Sequence, residues 1–284
     1  MEQRRIGAVA VSAIGLGAMP LSVRGHPDEE RARATIHAAL DAGVTLIDTA
    51  DAYSPDSQMG HNENIVARAL AKYGGDASPV MVATKGGHTR PDGDWVVDGR
   101  PDHLRRACEQ SLRRLGVDAI ALYQHHRPDP SVPYAETMGG LRELLDAGLI
   151  ERAGISNADP DQIREARDIL GDDLVSVQNQ LSPTYRSSLA ELELTDELGL
   201  AFLPWSPLGG IGSAKDLGST SQAFAAVADK YEVSPQQVCL AWLLALSPRV
   251  IPIPGASRVE SIRDSAAAVH LDLDEEDLEA LNAT

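Results

Sequence analysis

The segment Leu40-Asp-Ala-Gly43-Val-Thr-Leu-Ile-Asp48-Thr-Ala-Asp-Ala-Tyr53 carries three signals in close succession. A helical pattern stops at a glycine, the residue that tolerates the left-handed conformation closing a helix. Val44 to Ile47 then form a continuous β-branched and aliphatic run, which suits a strand covered on both faces. The run ends abruptly in the carboxylate of Asp48, and Tyr53 follows five residues later in a loop. A carboxylate ending a buried strand with a phenol close by is an unusual pair for packing alone.

The same phrase, helix then glycine then short apolar strand, recurs along the chain. Leu115-Gly116 precedes Ala119 to Tyr123, Leu145-Asp-Ala-Gly148 precedes Ile150 to Ile155, and Leu198-Gly199 precedes Leu200 to Pro204. Gly74 and Gly171 hold the same place before Val80 to Thr84 and Leu174 to Val177. Asp159-Pro-Asp-Gln162 and Ser234-Pro-Gln-Gln237 each offer a cap, a proline at the first helical position and a capping-box partner. Strands are thus expected near 14–18, 44–48, 80–84, 119–123, 150–155, 174–178, 200–204 and 250–253. Eight βα units in a chain of 284 residues predict a (β/α)8 barrel, a TIM barrel forming one domain over 1–284. An N-terminal hairpin, an extra helix near 220–230 and a final acidic helix over Asp274 to Asn282 complete it; an open doubly wound sheet is the alternative.

The formal net charge of −17 argues against binding nucleic acid or an anionic membrane through a general field. Arg4-Arg5 and the run to Leu21 superficially imitate a signal peptide, but Gly7, Gly15 and Gly17 interrupt it. No stretch reaches the roughly 18 apolar residues of a span. Cys108 and Cys239 read as buried thiols without a CxxC pattern, so a cytoplasmic protein is expected.

In a barrel, the C-terminal strand ends and their loops carry the chemistry. Strand two ends in Asp48 with Tyr53 beyond it, strand three in Lys85 and strand four in His125-His126-Arg127. Strand five ends in Ser156-Asn157, strand six in Gln178-Asn-Gln180 and strand seven in Trp205-Ser206. Each residue alone has an ordinary structural reading: a cap, a solvated rim charge or a core wedge. An Asp48–Lys85 salt bridge would still leave Tyr53 and a histidine unexplained. A tyrosine is a poor acid near neutrality, and a buried ammonium held beside it by a carboxylate would stabilise its phenolate.

These residues resemble the aldo-keto reductase family over essentially the whole length. The resemblance rests on Asp48-Thr-Ala-Asp-Ala-Tyr53, Thr84-Lys85, Leu122-Tyr-Gln-His-His126-Arg-Pro-Asp129, Gly154-Ile-Ser-Asn157, Gln178-Asn-Gln180, Pro204-Trp-Ser-Pro-Leu-Gly-Gly210 and Ile251-Pro-Ile-Pro-Gly-Ala-Ser-Arg258. It implies a catalytic tetrad of Asp48, Tyr53, Lys85 and His126, with Tyr53 as proton donor. Only one of two adjacent strand histidines can easily face the centre. The family usually has an apolar residue at the position of His125, so the role falls to His126, and a metal site from the pair is not expected. The resemblance further implies that Ser156, Asn157 and Gln178 hold a nicotinamide carboxamide, that Trp205 stacks on its ring, and that Ser206, Leu208 and Gly210 line the pyrophosphate path. Ser257 and Arg258, with a helix N-terminus, would make an anion site favouring NADPH/NADP+ over NADH. Ser257-Arg-Val-Glu260 is also a capping box.

The chain departs from the family at the adenine end. Asp264-Ser265 replaces the usual Glu-Asn pair, and Ser261 stands where a longer side chain is common. The sequence ends at Thr284 without the long C-terminal loop of some members, so an open site is expected. A small carbonyl compound reduced to an alcohol is the expected substrate, and a monomer or weak oligomer the expected state. A cofactor-binding regulatory protein on the same fold and a Schiff-base enzyme using Lys85 are the alternatives. Gly15-Leu-Gly17 lacks the third glycine of a Rossmann fingerprint, Gly154-Ile-Ser-Asn-Ala158 lacks the second glycine of a nucleophile elbow, and neither a P-loop nor HExxH occurs. Trp95, Met19 and Met59 read equally as pocket residues or as packing.

Overall fold

A short hairpin plugs one end of a ring of parallel strands. In the computed structural model, which describes residues 1–23, 25–210 and 212–284, β1 (Gln3–Ile6) and β2 (Val9–Ser12) pair antiparallel. The ring begins with β3 (Leu16–Gly17), α1 (Glu29–Asp41), β4 (Leu46–Asp48), α2 (His61–Ala71) and β5 (Met81–Gly86). A second small hairpin, β6 (His88–Thr89) and β7 (Val96–Val97), rises from the end of β5 before α3 (Pro101–Leu115). Then come β8 (Leu122–His125), α4 (Tyr134–Asp146), β9 (Ala153–Ser156), α5 (Pro160–Leu170), β10 (Leu174–Gln178), α6 (Leu189–Leu198) and β11 (Ala201–Phe202). Helices α7 (Leu217–Thr220), α8 (Gln222–Tyr231), α9 (Pro235–Leu246), α10 (Val259–Ala267) and α11 (Glu275–Asn282) follow. The order β11-β10-β9-β8-β5-β4-β3 is parallel throughout.

The ring closes through residues 250–255. Ile251 N–H donates to the Phe202 carbonyl at 2.8 Å on one side, while Gly15 and Gly17 N–H donate to the Pro252 and Pro254 carbonyls at 2.9 and 3.0 Å on the other. Proline has no N–H, so on that second side the segment only accepts. The eighth strand is therefore a seam of isolated bridges, Phe202 to Val250 and Gly17 to Gly255, rather than a regular ladder. This closure makes the (β/α)8 barrel and excludes the open sheet.

Side-chain alternation along the strands sorts the core into two layers. Leu46, Met81, Ala83, Leu122, Ala201, Leu203, Ile251 and Ile253 fill the barrel, with Ile6 and Val11 of the hairpin plugging its base. Their neighbours Ile47, Tyr123, Ile155, Val177 and Phe202 point outward against the helices. Arg4 is built into the base: its guanidinium donates to the carbonyls of Leu244 at 2.8 Å and Ser247 at 2.6 Å, at the negative end of α9. Both cysteines are buried and free. No helix among the described residues is long and apolar enough to cross a membrane.

Helix ends follow expectation with three corrections. Gly43, Gly116, Gly148, Gly171 and Gly199 take positive φ, but Gly74 does not. Helix α2 closes earlier, at Lys72 with ordinary backbone angles, because a longer connection to β5 removes the need for a tight reversal. Asp159 and Gln162 form the full capping box. Ser234 caps the Gln237 N–H, but the Gln237 side chain turns to Asp264 instead of back to the cap. The Ser257–Glu260 box does not form, since α10 starts one residue later with Arg258 at its cap position, and the Ser257 carbonyl accepts from Arg31.

The seam leaves no room at Gly17, where an added Cβ would lie 2.7 Å from the Ile253 carbonyl oxygen. Gly17→Ala is expected to lower unfolding stability by about 1–3 kcal/mol through overpacking. Gly139→Ala, in mid-α4 with open space around it, is expected to raise stability by about 0.5–1 kcal/mol. Urea denaturation of the two variants measures both effects.

Candidate active site

Above the apolar barrel filling, the inward positions turn polar. One step of two along each strand from Leu46, Ala83 and Leu122 brings Asp48, Lys85 and Gln124 to the C-terminal end of the barrel. The Lys85 ammonium is fully buried, and all three of its N–H bonds are used. It donates to Asp48 Oδ2 at 2.6 Å, to the Thr49 carbonyl at 2.9 Å and to the Tyr53 hydroxyl at 3.1 Å. The other Asp48 oxygen accepts from Gln178 Nε2 at 2.8 Å and Gln124 Nε2 at 3.2 Å. A buried ion pair is tolerable only when the remaining hydrogen-bonding capacity is met, as it is here. Burial works against the Lys85 charge, but Asp48 and Tyr53 outweigh it and hold the ammonium's pKa above its ordinary value.

The loop carrying Tyr53 is pinned from two sides. Asn62, in the first turn of α2, accepts from Thr49 Oγ1 at 2.6 Å and donates to the Ala18 carbonyl at 2.8 Å. The Arg90 guanidinium donates to the carbonyls of Ala52 and Ser54 at 2.9 and 3.1 Å, and lies 4.1 Å from the Trp95 ring centroid. The Tyr53 pKa stands above its ordinary value. Burial raises it and the pull of Lys85 only moderates that rise, because Asp48 largely neutralises the ammonium. Lys85 thus pulls the phenol toward acidity within a balance that burial wins, leaving the phenol protonated with a cation against its oxygen.

Beside Tyr53 three further rings meet edge to face. His126 lies 5.6 Å from Tyr53 by ring centroids and 4.5 Å from His88, and Trp95 lies 5.5 Å from His88. His126 faces the cavity, and its pKa falls well below the ordinary value through burial and the nearby Lys85. His88 is lowered to about 4, chiefly by burial. His125, its neighbour on β8, points outward among helices, with both ring nitrogens buried and unpartnered and its pKa lowered to about 3 by burial. Strand alternation thus decides between the adjacent histidines.

A cavity of about 1000 Å³ runs from this group across the barrel mouth to α10. Of the sixteen residues singled out in the sequence, Lys85 alone is missing from its wall, lying just beneath. Several of the others are already engaged. Ser156 Oγ donates to the Gln178 carbonyl, Asn157 Nδ2 donates to Ser156 Oγ and to the His126 carbonyl, and Gln178 Nε2 is held by Asp48. Asn157 and Ser206 both adopt positive φ, at 59° and 48°, as does Gly210. The Trp205 indole N–H is buried without a partner. Asp264 lines the cavity, but its carboxylate accepts from Ser234 and Gln237 at the start of α9. Arg258 and Lys215 also line it, and among the described residues neither pairs with a carboxylate. The first turn of α10 receives no side-chain cap.

Sequence reading alone passed over Gln124, His88, Arg90 and Lys215. Gln124 could have been found by the period of two linking it to Leu122 and His126. His88 lies in a two-residue strand, Lys215 in a single 3-10 turn and Arg90 in the link between β6 and β7, all too short for periodicity to say which way a side chain turns. Trp95 and Met19 line the cavity, whereas Met59 does not.

A parallel barrel that gathers a buried ion pair, a phenol and a neutral imidazole at the C-terminal ends of its strands is an enzyme of the barrel class. The chain belongs to the aldo/keto reductase family, whose model matches residues 13–284. It is 34% identical over 291 residues to a pyridoxine 4-dehydrogenase of Escherichia coli, covering 98% of this chain and 96% of that one. It is 34% identical over 276 residues to a 6-dehydroglucose reductase of Novosphingobium aromaticivorans, covering 94% and 90%. Among solved structures, an aldo/keto reductase from Klebsiella pneumoniae in complex with NADP and acetate superposes with a TM-score of 0.83 at 27% identity, covering 99% of this chain and 94% of that one.

The buried histidines make stability sensitive to acid. Above pH 6.5 His125 is neutral in both states. As pH falls from 6.5 toward 3, the unfolded chain takes a proton that the folded one refuses, so stability drops. His125→Phe is expected to lose about 1–2 kcal/mol less than the parent on going from pH 8 to pH 5. Urea unfolding at the two pH values measures the difference.

Proposed function

We propose that this chain reduces aldehyde and ketone carbonyls to alcohols with NADPH. The observation that carries the reading is the contact of one buried ammonium with both Asp48 and the Tyr53 hydroxyl, at the floor of a long cavity with Arg258 and Lys215 at its far end. The names of the two relatives, a dehydrogenase and a reductase, support redox turnover, and the NADP complex of the Klebsiella pneumoniae protein supports the choice of cofactor.

The donor set fits such a cofactor. Arg258, Lys215 and the uncapped first turn of α10 suit phosphate groups, and Trp205 offers a ring face. Ser156, Asn157 and Gln178 would lie at the carboxamide end, where Gln178 has only Oε1 left to offer while its nitrogen stays on Asp48. Ser206, Leu208 and Gly210 would line the path between, and Ser257, Ser261, Asp264 and Ser265 the adenosine end. When bound, the nicotinamide supplies the hydride.

The protein supplies the proton. Tyr53 accepts from Lys85 through its oxygen, so its own O–H is free to point into the cavity toward a substrate carbonyl. As negative charge develops on the carbonyl oxygen, the phenolic proton passes to it. Lys85 then faces the phenolate it is placed to stabilise. A proton on His126 Nδ1 would be buried without an acceptor, so the neutral ring carries its proton on Nε2, facing the cavity. His126 is therefore a second donor to the same oxygen.

Tyr53→Phe keeps the ring but removes the proton, and is expected to lower kcat by at least about 100-fold in NADPH oxidation with propanal, while NADPH still quenches tryptophan fluorescence on binding. Unchanged turnover would sink this mechanism. Arg258→Ala is expected to weaken NADPH binding about tenfold with much less effect on NADH, read by fluorescence titration with each.

A further inference from the structure

Two neutral imidazoles face the substrate end of the cavity, and their hydrogen bonds make them opposite in kind. His126 Nδ1 is buried without a partner among the described residues, so the tautomer that avoids a buried unpaired N–H carries the proton on Nε2. In His88, Nδ1 lies 3.3 Å from the Val96 carbonyl oxygen, across the β6–β7 hairpin. A carbonyl can only accept, so Nδ1 carries the proton and Nε2 is a bare acceptor. His88 lines the cavity, and its one hydrogen bond among the described residues is the one made by Nδ1. The two rings stand perpendicular, 4.5 Å apart. Burial keeps His88 from protonating above about pH 4, so the acceptor persists across the neutral range.

We infer that His88 reads a hydroxyl on the carbon next to the substrate carbonyl, so that the site is built for α-hydroxy aldehydes and ketones. This assignment rests on the carbonyl-reductase reading above. The carbonyl oxygen takes two donors, Tyr53 O–H and His126 Nε2–H. A hydroxyl on the adjacent carbon brings the one thing His88 needs, a proton to accept. Trp95, at 5.5 Å from His88 and 6.3 Å from Tyr53, covers the carbon skeleton of so small a molecule. A substrate without the hydroxyl leaves Nε2 dehydrated and unpaired, and a site built around a polar partner rejects the analogue that lacks it. His88 is thus a specificity-determining residue, whereas Tyr53 and His126 act on the carbonyl common to both compounds.

The test compares 2-hydroxypropanal with propanal, which differ by that hydroxyl alone. The wild-type protein should favour 2-hydroxypropanal in kcat/KM, and His88→Phe, which keeps a ring against His126 and Trp95, should shrink that preference about tenfold. His88→Gln, whose amide oxygen reaches about as far as Nε2, should restore part of it. The ratio cancels any general loss of activity and the hydration of each aldehyde, which is the same for every variant. Tryptophan fluorescence titration of the cofactor-free protein with the two aldehydes reads the same preference without turnover. A hydroxyl preference that His88→Phe abolishes in binding, with no NADPH oxidation at all, would overturn the reductase reading and leave the role of His88 standing. Turnover of both aldehydes with a preference ratio equal in wild type, His88→Phe and His88→Gln would overturn the role of His88.

Discussion

Everything at the barrel mouth depends on placing one ammonium where water cannot reach it. A buried lysine would ordinarily surrender its proton or unfold its surroundings. Here its three N–H bonds meet a carboxylate, a backbone carbonyl and a phenol, and the carboxylate is in turn saturated by Gln124 and Gln178. The charge is therefore fixed in direction as well as retained. Its third bond is the chemically interesting one, because it ends on an oxygen whose proton is then free to point toward solvent or substrate.

That arrangement needs a rigid frame on four strands and one loop. The strands are stiffened from below by the apolar filling and the N-terminal hairpin, with Arg4 anchoring the base to α9. The loop is the weak point, since Tyr53 lies five residues beyond the end of β4. Asn62 and Arg90 hold it from opposite sides, and Arg90 also stacks on Trp95. One guanidinium thus helps hold both the phenol and the aromatic cluster beside it. At the other end of the cavity, Arg258 and Lys215 stand without carboxylate partners among the described residues in a chain of net charge −17, which concentrates attraction for anions where acidic side chains are otherwise plentiful.

Much of this was legible in the order of residues. The glycine after each helix, the short apolar runs and the polar residue ending each strand are local signals, written in backbone conformation and in a side-chain period of two. That period shows that only one of the paired histidines can face inward, the family resemblance picks His126 to join Asp48 and Lys85, and Gln124 could have joined them. The structure was needed where a side chain has a choice among long-range partners. Gln237 leaves its capping role for Asp264, Ser257 loses its box to a later helix start, and Gln178 gives its nitrogen to Asp48.

By itself the sequence determined the barrel, the places of its strands and the identity of the charged and phenolic groups at the rim, because each follows from a pattern within some twenty residues. Tertiary structure alone decided the state of those groups. Whether Tyr53 is acidified or kept protonated turns on how far Asp48, Lys85 and burial cancel, and such sums depend on distances of a few ångströms between segments far apart in the chain. Which nitrogen of a histidine is engaged likewise turns on neighbours distant in the chain: the Val96 carbonyl lies against His88 Nδ1, while His126 Nδ1 meets no partner among the described residues.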